Sequence, residues 1–134
     1  MNANLLEKKT VRTVIDYLQN FDSNLSLISL DTTARTAKDA AQSLDVEVGA
    51  IVKSLVFKRP NKNLYYLCLV SGDKSVSLKK LSLNINDDVE KASANEVKSQ
   101  TGYSIGGAPC CSCELPFSNI FFDSFVAAFT SPKI

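Results

Sequence analysis

Two apolar runs constrain this chain most. Residues 50–57 (AIVKSLVF) and 64–70 (LYYLCLV) are rich in β-branched and aromatic side chains, and only the polar stretch Lys58-Arg59-Pro60-Asn61-Lys62-Asn63 separates them. Such a pair reads as adjacent strands, most simply a hairpin. Strand alternation puts Ile51, Lys53, Leu55 and Phe57 on one face and Val52, Ser54 and Val56 on the other, and both faces are otherwise largely apolar. Lys53 is therefore the odd residue. An ammonium in an apolar strand is expensive to desolvate unless it reaches a cleft, finds an acceptor or changes its protonation. From periodicity alone, two outcomes stay open: a lysine lifting its head to water from an edge strand, or one serving a site.

The rest of the chain supplies helices for this sheet. Residues 5–18 carry Leu5, Val11, Val14, Ile15 and Leu18 at three- and four-residue spacing, an amphipathic helix with a basic outer face, and residues 20–24 end it. Residues 25–30 form a short apolar run suited to a strand. Thr36, with Asp39 three residues on, caps a second helix whose face is Ala37, Ala40, Ala41 and Leu44. Ser71-Gly72-Asp73 is turn chemistry, and residues 77–83 predict a short helix with Lys79 and Lys80 outward. Ser93 and Glu96 form a capping-box pair opening another helix that ends near Thr101-Gly102. Residues 103–116, with two glycines, two prolines and three cysteines, predict irregular backbone before a last strand at 119–123. The element order predicts an α/β fold, a mixed sheet with surrounding helices. At 134 residues, one domain spanning 1–134 is expected.

Charge and composition exclude several function classes. Fifteen Lys+Arg against fourteen Asp+Glu leave a net charge of +1, so a strongly basic, charge-driven nucleic-acid binder is excluded and any such contact is local. Local basic groups exist: Lys58, Arg59 and Lys62 on one turn, and Lys74, Lys79 and Lys80 beyond the next strand. The chain has no histidine, which removes His-based triads, Cys–His dyads and histidine metal ligands. No stretch approaches the ~20 apolar residues of a membrane span, and residues 1–18 lack the continuous apolar core of a signal peptide, so a cytoplasmic protein is expected.

Two further motifs could carry chemistry. The stretch Thr101-Gly102-Tyr103-Ser104-Ile105-Gly106-Gly107-Ala108-Pro109 contains a glycine pair. Paired glycines let a backbone approach a ligand closely, although before a proline they also make an ordinary tight turn. Cys110-Cys111-Ser112-Cys113 is dense in sulfur, but a zinc or iron–sulfur site needs four ligands, and only Cys68 or Glu114 could complete it. Adjacent cysteines are also awkward for tetrahedral chelation. Unligated thiols are the simpler reading, with redox sensitivity as the functional remainder and no metal or other cofactor implied.

Taken together, the segments resemble the YbaK/EbsC family, the prolyl-tRNA synthetase-associated editing domain. The resemblance lies in Ala34-Arg35-Thr36-Ala37-Lys38-Asp39-Ala40-Ala41, Ile51-Val52-Lys53-Ser54-Leu55-Val56-Phe57, Leu69-Val70-Ser71-Gly72-Asp73, Val76-Ser77-Leu78-Lys79-Lys80-Leu81, and Glu96-Val97 running into Thr101–Gly107, in the family's order and spacing. It covers about residues 11–123. It implies a partly open, barrel-like mixed sheet and hydrolysis of the ester of mischarged aminoacyl-tRNA, with tRNA-Pro as the usual carrier and prolyl-tRNA synthetase as a possible partner. The family's lysine falls on Lys53, implied as catalytic, and its pocket glycine on Gly106, with Gly107 beside it; Ser54 is a candidate pocket residue. Catalysis in the family is substrate-assisted, through a hydroxyl of the terminal ribose, which fits a chain without histidine.

The chain also departs from the family pattern. Cys110 and Ser112 stand where the family has a second proline and a glycine, and Asp45 stands where a helix usually leads into glycine. The family domain continues beyond the position of Ile134 with a further strand and helix, so this chain is expected to be short at its C-terminus. Two rival readings follow: a catalytically degenerate domain that binds tRNA or a synthetase, and a thiol or metal module built on Cys110, Cys111 and Cys113.

Overall fold

The computed structural model describes residues 8–30, 34–105 and the backbone of 120–122. Its centre is the expected hairpin: β1 (Val52–Lys58) and β2 (Tyr65–Ser71) run antiparallel, from Val52 opposite Ser71 to Lys58 opposite Tyr65. The connecting turn closes through Arg59 N–H donating to the Leu64 carbonyl at 3.1 Å, with Asn61 in the left-handed region at φ 61°. Asparagine tolerates that conformation better than most residues, which explains its place there.

Two short strands complete a mixed sheet in the order β3-β1-β2-β4. β3 (Glu90–Lys91) pairs antiparallel with Phe57 and Lys58, and β4 (Ile120–Phe122) pairs parallel with Leu67–Leu69. The sheet is open: among the described residues no ladder joins β3 to β4. β3 covers only the far end of β1, so the first half of β1, including Lys53, lies at a free edge among the described residues.

Among the described residues four helices accompany the sheet in the chain: α1 (Lys9–Phe21), α2 (Ala37–Leu44), α3 (Leu78–Ile85) and α4 (Ala94–Thr101). Their ends are chemically marked. Thr36/Asp39 and Ser93/Glu96 form complete capping boxes, and the Ser77 side chain accepts from Lys80 N–H at the start of α3. Asp45, the residue in the place of a family glycine, ends α2 in the left-handed conformation at φ 52° and ψ 48°. This position favours glycine, and aspartate is among the few other residues that adopt it. α1 carries the predicted amphipathic pattern, with Val11, Val14, Ile15 and Leu18 half-buried, and the first residues of the predicted span, 5–7, lie outside the described residues.

Each sheet face has its own apolar cluster, as the alternation predicts. One face packs Phe57, Cys68, Val70 and Leu81 of α3, with Leu55 and Ile85 against them. The other packs Val56, Leu67, Ala92 and Val97 of α4, with Tyr65 and Leu69. The predicted strand over 25–30 is not formed. Leu25 and Leu27 are half-buried and Ser26 and Ile28 exposed, as in a strand, but no ladder engages this segment among the described residues. Apolar alternation reports burial, whereas a strand also needs a hydrogen-bonding neighbour. The last strand is present at Ile120–Phe122, and residues 119 and 123 of the predicted span lie outside the described residues.

One network ties α4 to the hairpin. Lys58 Nζ lies 2.6 Å from Glu96 Oε1 and 3.2 Å from Glu90 Oε1, while Ser93 N–H donates to Glu96 Oε2 at 2.8 Å. The Lys58 hydrogen bond, with the Ser93 backbone second, holds the Glu96 carboxyl far below its ordinary 4.5, at about 2. A carboxyl whose value is depressed on folding stabilises the fold above its unfolded value and loses that contribution as the pH falls. Urea unfolding should therefore show the midpoint dropping as the pH is lowered from 4.5 toward about 2. Glu96→Gln should flatten that part of the profile; an unchanged profile in this variant would remove Glu96 from the account.

Candidate functional site

A cleft of about 610 Å³ opens where the free half of β1 meets the start of α2 and the turn after β2. Its walls include Arg35, Thr36, Lys38, Lys53, Ser54 and Gly72. The volume falls within the ~300–1,000 Å³ of small-molecule sites. Its floor depends on Gly72, whose N–H donates to the Ile51 carbonyl at 2.6 Å. A Cβ built there would lie 2.2 Å from the Val48 carbonyl oxygen, so only glycine permits this approach of two backbones.

Lys53 is half-buried on the cleft wall, and its ammonium donates to the Lys74 carbonyl at 2.6 Å. The two outcomes left open by periodicity thus meet in one geometry. The free edge gives the side chain its way out of the apolar face, and its head group stops at a backbone acceptor beside the cleft. It is not a deeply buried charge: neighbouring Val52 is 55% exposed. The accepting turn is itself pinned. Ser71 Oγ lies 2.7 Å from the Gly49 carbonyl and 2.6 Å from Asp73 Oδ1, and Lys74 N–H donates to the Ser71 carbonyl at 3.0 Å.

Ser54 lines the same cleft and also, from the other sheet face, an apolar cavity of about 160 Å³ walled by Val56, Ala92, Val97 and Ile105. Lys53 and Ser54 are thus brought together. Gly106, Gly107 and the cluster Cys110, Cys111 and Cys113 lie outside the described residues; Ile105, directly before the glycine pair, is on the wall of the smaller cavity. Cys68 is a buried thiol among Phe57, Val70 and Leu81 in the core. Among the described residues no group of three or more possible metal ligands occurs.

The basic turn after β1 is corrected by its neighbours. Lys58 is held by Glu90 and Glu96, and Arg59 and Lys62 lie 2.6 and 3.1 Å from Asp87 Oδ2. These cations are neutralised within the fold, and Lys74 meets Asp73 at 2.9 Å. Lys79 and Lys80 are exposed and have no ion pair among the described residues. Arg35 and Lys38, treated in the sequence only as parts of a helix-start motif, are the other cations of the cleft among the described residues. Their signal was available: a basic residue on either side of a capping threonine stands at a helix entrance, where a ligand can approach. No described helix is long and apolar enough to cross a membrane.

Similarity to known proteins converges on one family. Residues 31–131 match the aminoacyl-tRNA editing domain. The chain is 32% identical over 93 residues to the proline–tRNA ligase of Thermosipho africanus, which is 68% of this chain and 16% of the ligase. It is 29% identical over 99 residues to the uncharacterized protein YwhH of Bacillus subtilis, 74% of this chain and 60% of YwhH. It therefore spans less than two thirds of either relative. Among solved structures, a provisionally assigned trans-editing enzyme for prolyl tRNA synthetase superposes with a TM-score of 0.74 at 36% identity, covering 84% of this chain and 70% of that one. A scaffold used for grafting linear epitopes gives a TM-score of 0.77 at 32% identity, over 87% and 73% of the two chains. The match over residues 31–131, together with the shared fold, makes this chain a member of the aminoacyl-tRNA editing domain family, related to the editing domain of prolyl-tRNA synthetase.

Proposed function

We propose that this chain is a cytoplasmic, single-domain aminoacyl-tRNA deacylase that acts in trans, hydrolysing the ester that joins a wrong amino acid to tRNA-Pro. The observation that carries the reading is the Lys53 ammonium on the wall of a cleft shared with Arg35 and Lys38, in a chain of the editing family. The cations suit the phosphates and ribose at the 3′ end of the tRNA. An aminoacyl ester is already activated, so hydrolysis needs orientation and a polarised carbonyl more than a strong base. In this reading Lys53 holds the terminal phosphate or polarises the ester. Backbone groups around Gly106 and Gly107 fix the amino acid and the attacking water, a ribose hydroxyl activates that water, and Ser54 borders the pocket. The partly open, barrel-like sheet of the family is the frame proposed for the whole domain.

Incubation with a panel of mischarged tRNA-Pro species tests the reading, with release of free amino acid above spontaneous hydrolysis as the expected result. Binding without hydrolysis would instead identify a degenerate member that retains tRNA. Affinity should be modest and weakly salt-dependent, because three of the six basic groups flagged in the sequence are spent on Glu90, Glu96 and Asp87. With the three cleft cations meeting a single-stranded end, the slope of log K against log salt should be about −2. A slope steeper than about −5 would reveal a phosphate-binding surface elsewhere. Pull-down with prolyl-tRNA synthetase tests whether a partner supplies the remaining affinity.

A further inference from the structure

The turn after β2 carries more order than a connection needs. Its four residues Ser71-Gly72-Asp73-Lys74 are fastened by four donors: the Ser71 hydroxyl, whose one proton is shared between the Gly49 carbonyl and Asp73 Oδ1, Gly72 N–H to the Ile51 carbonyl, Lys74 N–H to the Ser71 carbonyl, and the Lys74 ammonium to Asp73 Oδ2. Asp73 spans the turn, with Oδ1 2.6 Å from the Ser71 hydroxyl and Oδ2 2.9 Å from the Lys74 ammonium. The turn thereby presents the Lys74 carbonyl, which accepts from Lys53 Nζ at 2.6 Å.

We propose that Asp73 is a positioning residue for Lys53: its carboxylate fixes the turn so that the Lys74 carbonyl holds the Lys53 ammonium at the cleft. The ordinary alternative is that Asp73 merely forms a surface ion pair. The side chains of Asp73 and Lys74 are 44% and 48% exposed, and exposed pairs of this kind add little to stability. The Ser71 hydroxyl, with the Lys74 ammonium second, draws the Asp73 carboxyl below its ordinary value, so it is ionised and acts only as an acceptor. Its two contacts therefore orient the turn. They bear on function only through the acceptor the turn presents.

The kinetic part of the test rests on the deacylase reading; a spectroscopic part does not. Wild type, Asp73→Asn, Asp73→Ala, Lys53→Ala and the double variant Lys53→Ala/Asp73→Ala are compared by single-turnover deacylation. The ¹⁵Nζ signal of Lys53, assigned by its loss in Lys53→Ala, is recorded in parallel. Asp73→Ala should slow deacylation about tenfold or more with KM little changed, as expected when a reacting-site group is misplaced by a fraction of an ångström. Asp73→Asn, which keeps the Oδ1 acceptor for Ser71, should lose less. The double variant should be no slower than Lys53→Ala alone, since Asp73 acts through Lys53. The Nζ signal should move in Asp73→Ala. A wild-type rate in Asp73→Ala while Lys53→Ala is impaired, or a double variant slowed by the product of the single effects, would overturn the positioning role and leave the deacylase reading standing. Should the wild type hydrolyse no mischarged tRNA, that reading fails and the Nζ signal decides alone: a shift supports the positioning role and an unmoved signal overturns it. If Asp73→Ala does not fold, Asp73→Asn carries both readouts.

Discussion

Lys53→Ala is expected to lower single-turnover deacylation of mischarged tRNA-Pro by about a hundredfold or more, the scale for losing one preorganised electrostatic contact. The chain has no histidine to take over the task, and among the described residues of the cleft only Arg35 and Lys38 offer other positive charge. Stability should hardly move. The variant loses one hydrogen bond to the Lys74 carbonyl, worth ~1 kcal/mol net, and also removes a half-buried ammonium from an apolar strand face. Lys53→Arg should be impaired as well, because a planar guanidinium cannot place a compact charge at the 2.6 Å seat offered by one carbonyl. Thermal melts beside the kinetics separate the two effects. A large fall in melting temperature with unaltered rate per folded molecule would make Lys53 a structural residue.

Gly72→Ala should produce the largest loss of stability of any single methyl group added to the described glycines. The new Cβ would stand 2.2 Å from the Val48 carbonyl oxygen, 3.1 Å from the Ala37 Cβ and 3.2 Å from the Ile51 Cβ. The nearest atom is backbone, so nothing flexible can yield, and the turn after β2 would have to separate from α2 and from the 3₁₀ turn Val48–Ala50. Overpacking of this kind destabilises by about 3 kcal/mol or more, a fall of about 10 °C in melting temperature for a domain of this size. Gly49→Ala is the matched control: its Cβ would meet the Asp73 carboxylate at an ordinary 3.5 Å and should melt close to wild type. Similar melts for the two variants would mean that the floor of the cleft is not the close backbone junction described above.

The hairpin and the helix starts were legible because their signals are local. A two-residue period flanked by a polar turn specifies β1 and β2, and Thr36/Asp39 and Ser93/Glu96 specify helix entrances within four residues. Lys53 was legible as an anomaly, a charge in an apolar strand, but its acceptor was not. That acceptor is a backbone carbonyl 21 residues away, and a carbonyl leaves no mark in residue identity. β3 was missed for a related reason: two charged residues have no period, and Glu90–Lys91 is a strand only because Phe57 and Lys58 pair with it. The turn Lys58-Arg59-Lys62 looked like a basic patch because its neutralising partners Asp87, Glu90 and Glu96 come from distant segments. Gly72 looked like any turn glycine until Val48 was seen across from it.

The ester bond itself can be followed under single-turnover conditions, with enzyme in excess over a set of tRNA-Pro species each carrying a different amino acid. At least one mischarged species should lose its amino acid far faster than by spontaneous hydrolysis, correctly charged prolyl-tRNA should be spared, and Lys53→Ala should abolish most of the acceleration. Decay at the spontaneous rate for every species, with the wild-type protein folded and binding tRNA, would contradict the deacylase reading.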